Sequence, residues 1–220
     1  MFKLVIGNKE YEVPHYLQIS KYQKMMQWNM IRSEDWPEIV HIVMGVPKDQ
    51  ISLIPEETLE LAMSVIMALF SPSMVVRKHI DGHKLIDFTQ ISLGQWIDLE
   101  YAISLGVDRN IVDIVKILYS VSDPSEWPLE YVYGAVHKFL NWRVKIYESY
   151  KVLFDQPDSE DLKEVKNPRP VAKVWYDIVM VLAEGRFLDI DKVTDRKVIE
   201  CFNWLAWNKD QQRKLQQQKQ

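Results

Sequence analysis

A single cysteine, few glycines and no long apolar run mark this chain by what it has little of. With Cys201 alone, an intramolecular disulfide framework is excluded, and a reducing compartment fits. The residue lies in Val198-Ile199-Glu200-Cys201-Phe202, among apolar residues at helical spacing, and reads as a small buried hydrophobe rather than a nucleophile. The seven glycines are scattered and form no Gly-rich loop between a strand and a helix, which removes phosphate-cradling motifs. The most apolar stretch, Met63 to Phe70, falls far short of the roughly 18 residues that cross a bilayer. Met1-Phe2-Lys3-Leu4-Val5-Ile6-Gly7 lacks the apolar core of a signal peptide. A basic excess is missing too: 27 Lys and Arg against 31 Asp and Glu give a net charge of −4. Nothing therefore favours nucleic acid or an acidic membrane surface. The expectation is a soluble intracellular protein.

What is present argues for a folded chain. The apolar fraction of 47% and eight tryptophans separate it from disordered sequences. The sequence also carries a faint copy of itself displaced by 72 residues. Gln18, Ile19, Ser20 and Gln23 recur as Gln90, Ile91, Ser92 and Gln95, and Ile39, Val40, Ile42 and Val43 as Ile111, Val112, Ile114 and Val115. After one inserted residue, Pro55, Glu57 and Ala62 align with Pro128, Glu130 and Ala135. Such a period suggests a duplicated supersecondary unit.

Both copies read as a hairpin followed by three helices. In the first, Lys3 to Ile6 and Glu10 to Val13 flank a Gly7-Asn8 turn. Ser20 is the expected N-cap of the helix bearing Tyr22, Met25, Met26 and Ile31, and Ser33 or Asp35 that of the next, with Pro37 in its first turn. Gly45 and Pro47 end that helix, and Pro55 opens a third with Leu59, Ala62, Met63, Ile66 and Phe70 inward. In the second copy, Val75-Val76, Asp81-Gly82 and Lys84-Leu85-Ile86 suggest a weaker hairpin. Ser92 caps a helix bearing Trp96, Leu99 and Ile103, and Asp108 or Asn110 caps one bearing Ile111, Ile114, Val115 and Leu118. Pro128 then opens a helix reaching Phe154. Asp155 to Pro170, with three prolines and mixed charge, reads as a linker. Val171 to Glu184 follows as an amphipathic helix with Val174, Trp175, Ile178 and Leu182 inward, closed by Gly185. Thr194 or Asp195 is the expected cap of a last helix carrying Val198, Phe202, Leu205 and Ala206. The Gln-rich end after it has little apolar content and frays alone.

Catalytic readings fare poorly. His79 and His83 are four apart but flank Ile80-Asp81-Gly82, a turn, and no second ligand cluster accompanies them. His15, His41 and His137 are isolated. Glu56-Glu57 fall in a helix's opening turn, where negative charge is favoured for structural reasons. Asp98 and Glu100, two apart on a helix, point away from each other. No Gly-x-Ser-x-Gly elbow or helical His-Glu-x-x-His is present. No catalytic, cofactor-binding or metal-binding residue is expected. Trp96, Trp142 and Trp175 fit buried helix faces. Trp204 and Trp207, three apart near the Gln-rich end, either pack back against the chain's own repeats or form with Leu215 a candidate partner contact.

Both copies resemble small proteins from the tail modules of tailed bacteriophages: tail assembly chaperones and related hub or baseplate proteins. The resemblance rests on Leu17-Gln18-Ile19-Ser20-Lys21-Tyr22-Gln23, on Ile42-Val43-Met44-Gly45-Val46-Pro47 with Ile54-Pro55-Glu56-Glu57, and on Ile91 to Glu100. It also departs from the pattern: Tyr22 stands where the second copy has Gly94, and Ile117 where the first has Gly45. It implies an assembly role without enzymatic activity or cofactor, exercised on other tail or baseplate proteins, with self-association as a further option. It places the protein in the host cytoplasm during assembly or in the virion tail. The alternative is a phage regulator that binds a host protein. The expected fold is mainly α with short β-hairpins: two tandem hairpin-plus-three-helix units (residues 1–72 and 73–155), a linker over 156–170, and C-terminal helices with a Gln-rich tail over 171–220.

Overall fold

A computed structural model describes residues 2–28, 32–72, 74–154 and 171–217. In chain order it places β1 (Lys3–Ile6), β2 (Lys9–Glu12), α1 (Ile19–Met25), α2 (Trp36–Met44), α3 (Lys48–Ile51), α4 (Glu56–Ala68), β3 (His79–Ile80), β4 (His83–Lys84), α5 (Leu93–Ser104), α6 (Ile111–Tyr119), α7 (Leu129–Ser149), α8 (Lys151–Phe154), α9 (Val171–Leu182), α10 (Ile190–Thr194) and α11 (Val198–Gln217). The chain is mainly α-helical with two short antiparallel hairpins. The second hairpin is shorter than expected, two residues a side, because Asp81 and Gly82 both turn at positive φ and Val75-Val76 run outside it. The short helices α3 and α10 were not anticipated. The expected linker, and Ile31 of the first expected helix, lie outside the described residues.

The chain packs as two units, Met1–Leu85 with Gly106–His137 and Ile86–Leu105 with Lys138–Gln220, each assembled from separated segments. These groupings cut across the tandem division at residues 72 and 155, because each helix start finds its partner far along the chain. In the first unit Gln18 bridges Pro128: the Ile19 N–H donates to the Trp127 carbonyl at 3.0 Å, and the Leu129 N–H to the Leu17 carbonyl at 2.7 Å. The second unit repeats the device. Ser92 bridges Lys197, the Leu93 N–H donates to the Arg196 carbonyl at 2.7 Å, and the Val198 N–H to the Ile91 carbonyl at 2.9 Å. Two helix starts thus satisfy each other's orphan N–H groups.

Aligned on these bridges, the buried set Leu17, Ile19, Tyr22 and Met25 matches Ile91, Leu93, Trp96 and Leu99. The structural offset is 92 − 18 = 74 residues, not the 72 of the sequence identities. Identical letters consequently do different work. Ser92 caps α5, as expected, and Gln95 returns the contact in a reciprocal box. Ser20 instead falls inside α1, whose N-cap is Gln18, so the expected cap at Ser20 is corrected. The cap expected at Thr194 or Asp195 is corrected as well: Thr194 ends α10, and α11 starts straight after the Lys197 bridge.

The core of the first unit gathers Ile39, Val40, Val43, Ile66, Ile114, Val115, Leu118 and Val132. Its extended segment after α4 crosses α7 at Gly134, where an added Cβ would stand 2.5 Å from the Val75 carbonyl oxygen. The same segment is held by Tyr119, whose hydroxyl donates to the Arg77 carbonyl at 2.6 Å, and by Arg77, which lies 3.7 Å from the centroid of the Tyr131 ring. The second unit is built around Trp96, fully buried and in edge or tilted contact with Phe139, Trp142, Tyr147 and Phe202. Trp175 stacks on Phe202. Gly94 lets α5 approach Thr194 of α10.

Candidate interaction surface

The first turns of α11 are anchored by Val198, Cys201 and Phe202 in the second unit's core. Trp204, Trp207 and Leu215 fall on another face of the same helix and remain 39%, 59% and 58% exposed. Two indoles and an isobutyl group held in water on one stripe make a contact surface of low rotamer entropy. The helix runs on through Gln217, so the Gln-rich segment carries Leu215 in register with the tryptophans. An i,i+4 pair between Lys214 and Asp210, 2.7 Å apart, supports these last turns.

On the other side of α11, Leu205, Lys209 and Gln212 form one wall of a groove whose second wall is α9. Its volume is about 680 Å³. α9 carries two apolar stripes. Trp175, Val179 and Ala183 turn into the core, while Val174 and Val181, 43% and 51% exposed, face the groove with Ile178. The expectation that Val174 faces inward is therefore corrected: the inward stripe is rotated by about one residue.

Glu100, which does not pair with Asp98 along the helix, also lines the groove and is the buried acidic residue among the described residues. Arg143 donates to it twice, Nε to Oε1 at 2.5 Å and Nη2 to Oε2 at 2.7 Å. Both carboxylate oxygens are thereby occupied, and the guanidinium also lies over the Tyr147 ring. This geometry is structural, with no free acid or base for chemistry. The signal lay in Arg143, 43 residues away, which local spacing does not reveal.

Two of the candidate histidines are engaged in packing. Nδ1 of His41 is 2.8 Å from the Val46 carbonyl at the end of α2, and His137 packs on Tyr133. His79 and His83 stand on opposite strands of the second hairpin. Among the described residues no group of three His, Cys, Asp or Glu is placed to hold a metal, and no helix is long and apolar enough to cross a membrane. Burial pushes the Cys201 thiol up to about 11, away from thiolate chemistry.

No family model, curated protein or solved structure matches this chain.

Proposed function

We propose that the chain is a non-enzymatic tail or baseplate morphogenesis protein of a tailed phage. It acts through protein–protein contact, either as a virion subunit or as an assembly chaperone. The observation that carries the contact reading is the exposed Trp204–Trp207–Leu215 ridge on a helix anchored at its other end. The tail module itself is supported by the resemblance of residues 17–23, 42–47 and 91–100.

The test is mass spectrometry of purified virions, alongside affinity capture of the tagged full chain from infected cells. A fixed copy number in particles identifies a virion subunit. Absence from particles with capture of tail proteins identifies a chaperone. Capture of a host protein alone replaces this reading with a host-directed regulator. Under the proposal, Trp204→Ala with Trp207→Ala removes the captured tail proteins while leaving the circular dichroism spectrum unchanged.

A further inference from the structure

The ridge and the groove lie on opposite sides of one helix and match each other. Glu200, Trp204, Trp207, Gln211 and Leu215 fall within an arc of about 80° on α11. From Trp204 to Leu215 the ridge is about 16 Å long, and the α11 wall of the groove, Phe202 to Gln212, is about 15 Å long. The ridge sets Trp204, Trp207 and Leu215 around Gln211, and the groove sets Phe202 and Leu205 beside Val174, Ile178 and Val181 of α9. With Glu100 neutralised by Arg143, each also carries one charge outside an ion pair, and the two are of opposite sign. Glu200, one turn before Trp204, and Lys209, in the groove wall, have no ion-pair partner among the described residues. Residues 212–217 are exposed along every side of the helix. Short helical segments are marginal in water without packing, so this end of α11 is built to rest on something outside its own unit.

We infer that the occupant of the groove is a second copy of this chain, with the α11 ridge of one copy seated between α9 and α11 of the other and Glu200 meeting Lys209. This rests on reading the ridge as a contact surface and names its partner. Two part-exposed tryptophans and a leucine offer roughly 300–400 Å² of ridge, against about 800 Å² per partner in a standard interface. A single contact is therefore weak, and repetition around a closed ring or reciprocal pairing strengthens it.

Sedimentation velocity of the full chain, from micromolar to millimolar concentration, tests this with two exposed charge reversals. Glu200→Lys and Lys209→Glu each weaken self-association by roughly tenfold. An equimolar mixture of the two restores it, because the reversed ridge of one meets the reversed groove of the other. Trp204→Ala with Trp207→Ala weakens it by roughly thirtyfold or more. A wild-type chain that stays monomeric throughout overturns the inference, as does a mixture of the charge variants that associates no better than either alone. If the monomeric chain still captures tail proteins through Trp204 and Trp207, the inference fails and the proposed function stands. If self-association follows the predicted pattern but no tail protein is captured and virions lack the chain, the inference stands and the tail reading fails.

Discussion

Gln23 accepts the Val112 N–H at the start of α6 at 3.0 Å, whereas Gln95 accepts the Ser92 N–H at the start of its own helix. Both satisfy an orphan helix-start donor, yet only the second use is local and legible from a Ser-x-x-Gln spacing. Gly134 was equally silent in the sequence, because what crosses it comes from residues 74 and 75. Helix propensity alone favours alanine there by about 1 kcal/mol. The Val75 carbonyl leaves no room for a Cβ, and forcing one in costs typically 1–3 kcal/mol. Gly134→Ala is expected to lower the urea midpoint, and a raised midpoint would mean that the crossing segment yields freely. Cys201, by contrast, was read as buried from its neighbours, and burial raises its thiol from an ordinary value of 9.0 to about 11. The folded chain then keeps a proton that the unfolded chain releases, so stability falls as pH rises from about 9 to about 11. Thermal melts of Cys201→Ala across that window should show a flatter pH dependence than the wild type. Equal slopes would remove the thiol as their cause.

At the scale of elements, most helices were legible because their apolar residues recur at helical spacing and Gly45, Pro55 and Pro128 punctuate them. α9 was harder: with apolar residues on two stripes, periodicity alone does not say which one faces the core. The link between α5 and α7 was not legible at all, since Glu100 and Arg143 are ordinary surface residue types until brought together. Removing one partner leaves the other charge without compensation in a largely apolar setting. Glu100→Ala is expected to cost about 3 kcal/mol, the lower end for buried pairs, because Arg143 keeps some access to water. Arg143→Ala should cost a similar amount, and the double variant clearly less than the sum. Urea unfolding of the four proteins as a double-mutant cycle checks this, and strict additivity would show that the pair contributes no coupling.

For the molecule as a whole, the exposed end of α11 separates stability from association. Truncation after Gln211 removes a stretch of exposed helix, so the melting temperature should change little while self-association weakens with the loss of Leu215. A marked drop in melting temperature would show that this end supports its own unit instead. The order of hairpins and helices was readable along the chain, but the grouping into units was not. A period in the letters locates a duplication, and only the backbone bridges show which segments close on each other. Those bridges also govern how the chain is made. Gln18 waits for Pro128, 128 − 18 = 110 residues later, and Ser92 waits for Lys197. At about 5–20 residues per second, the ribosome needs roughly 5–20 s to deliver the first partner. Throughout that interval α1, which bears Ile19 and Met25, has α2 to rest on but lacks α6 and the start of α7, so the first unit cannot complete its core before synthesis is well advanced. The newborn polypeptide is therefore expected to depend on holding factors more than its modest length suggests, and slowed translation should lower its soluble yield.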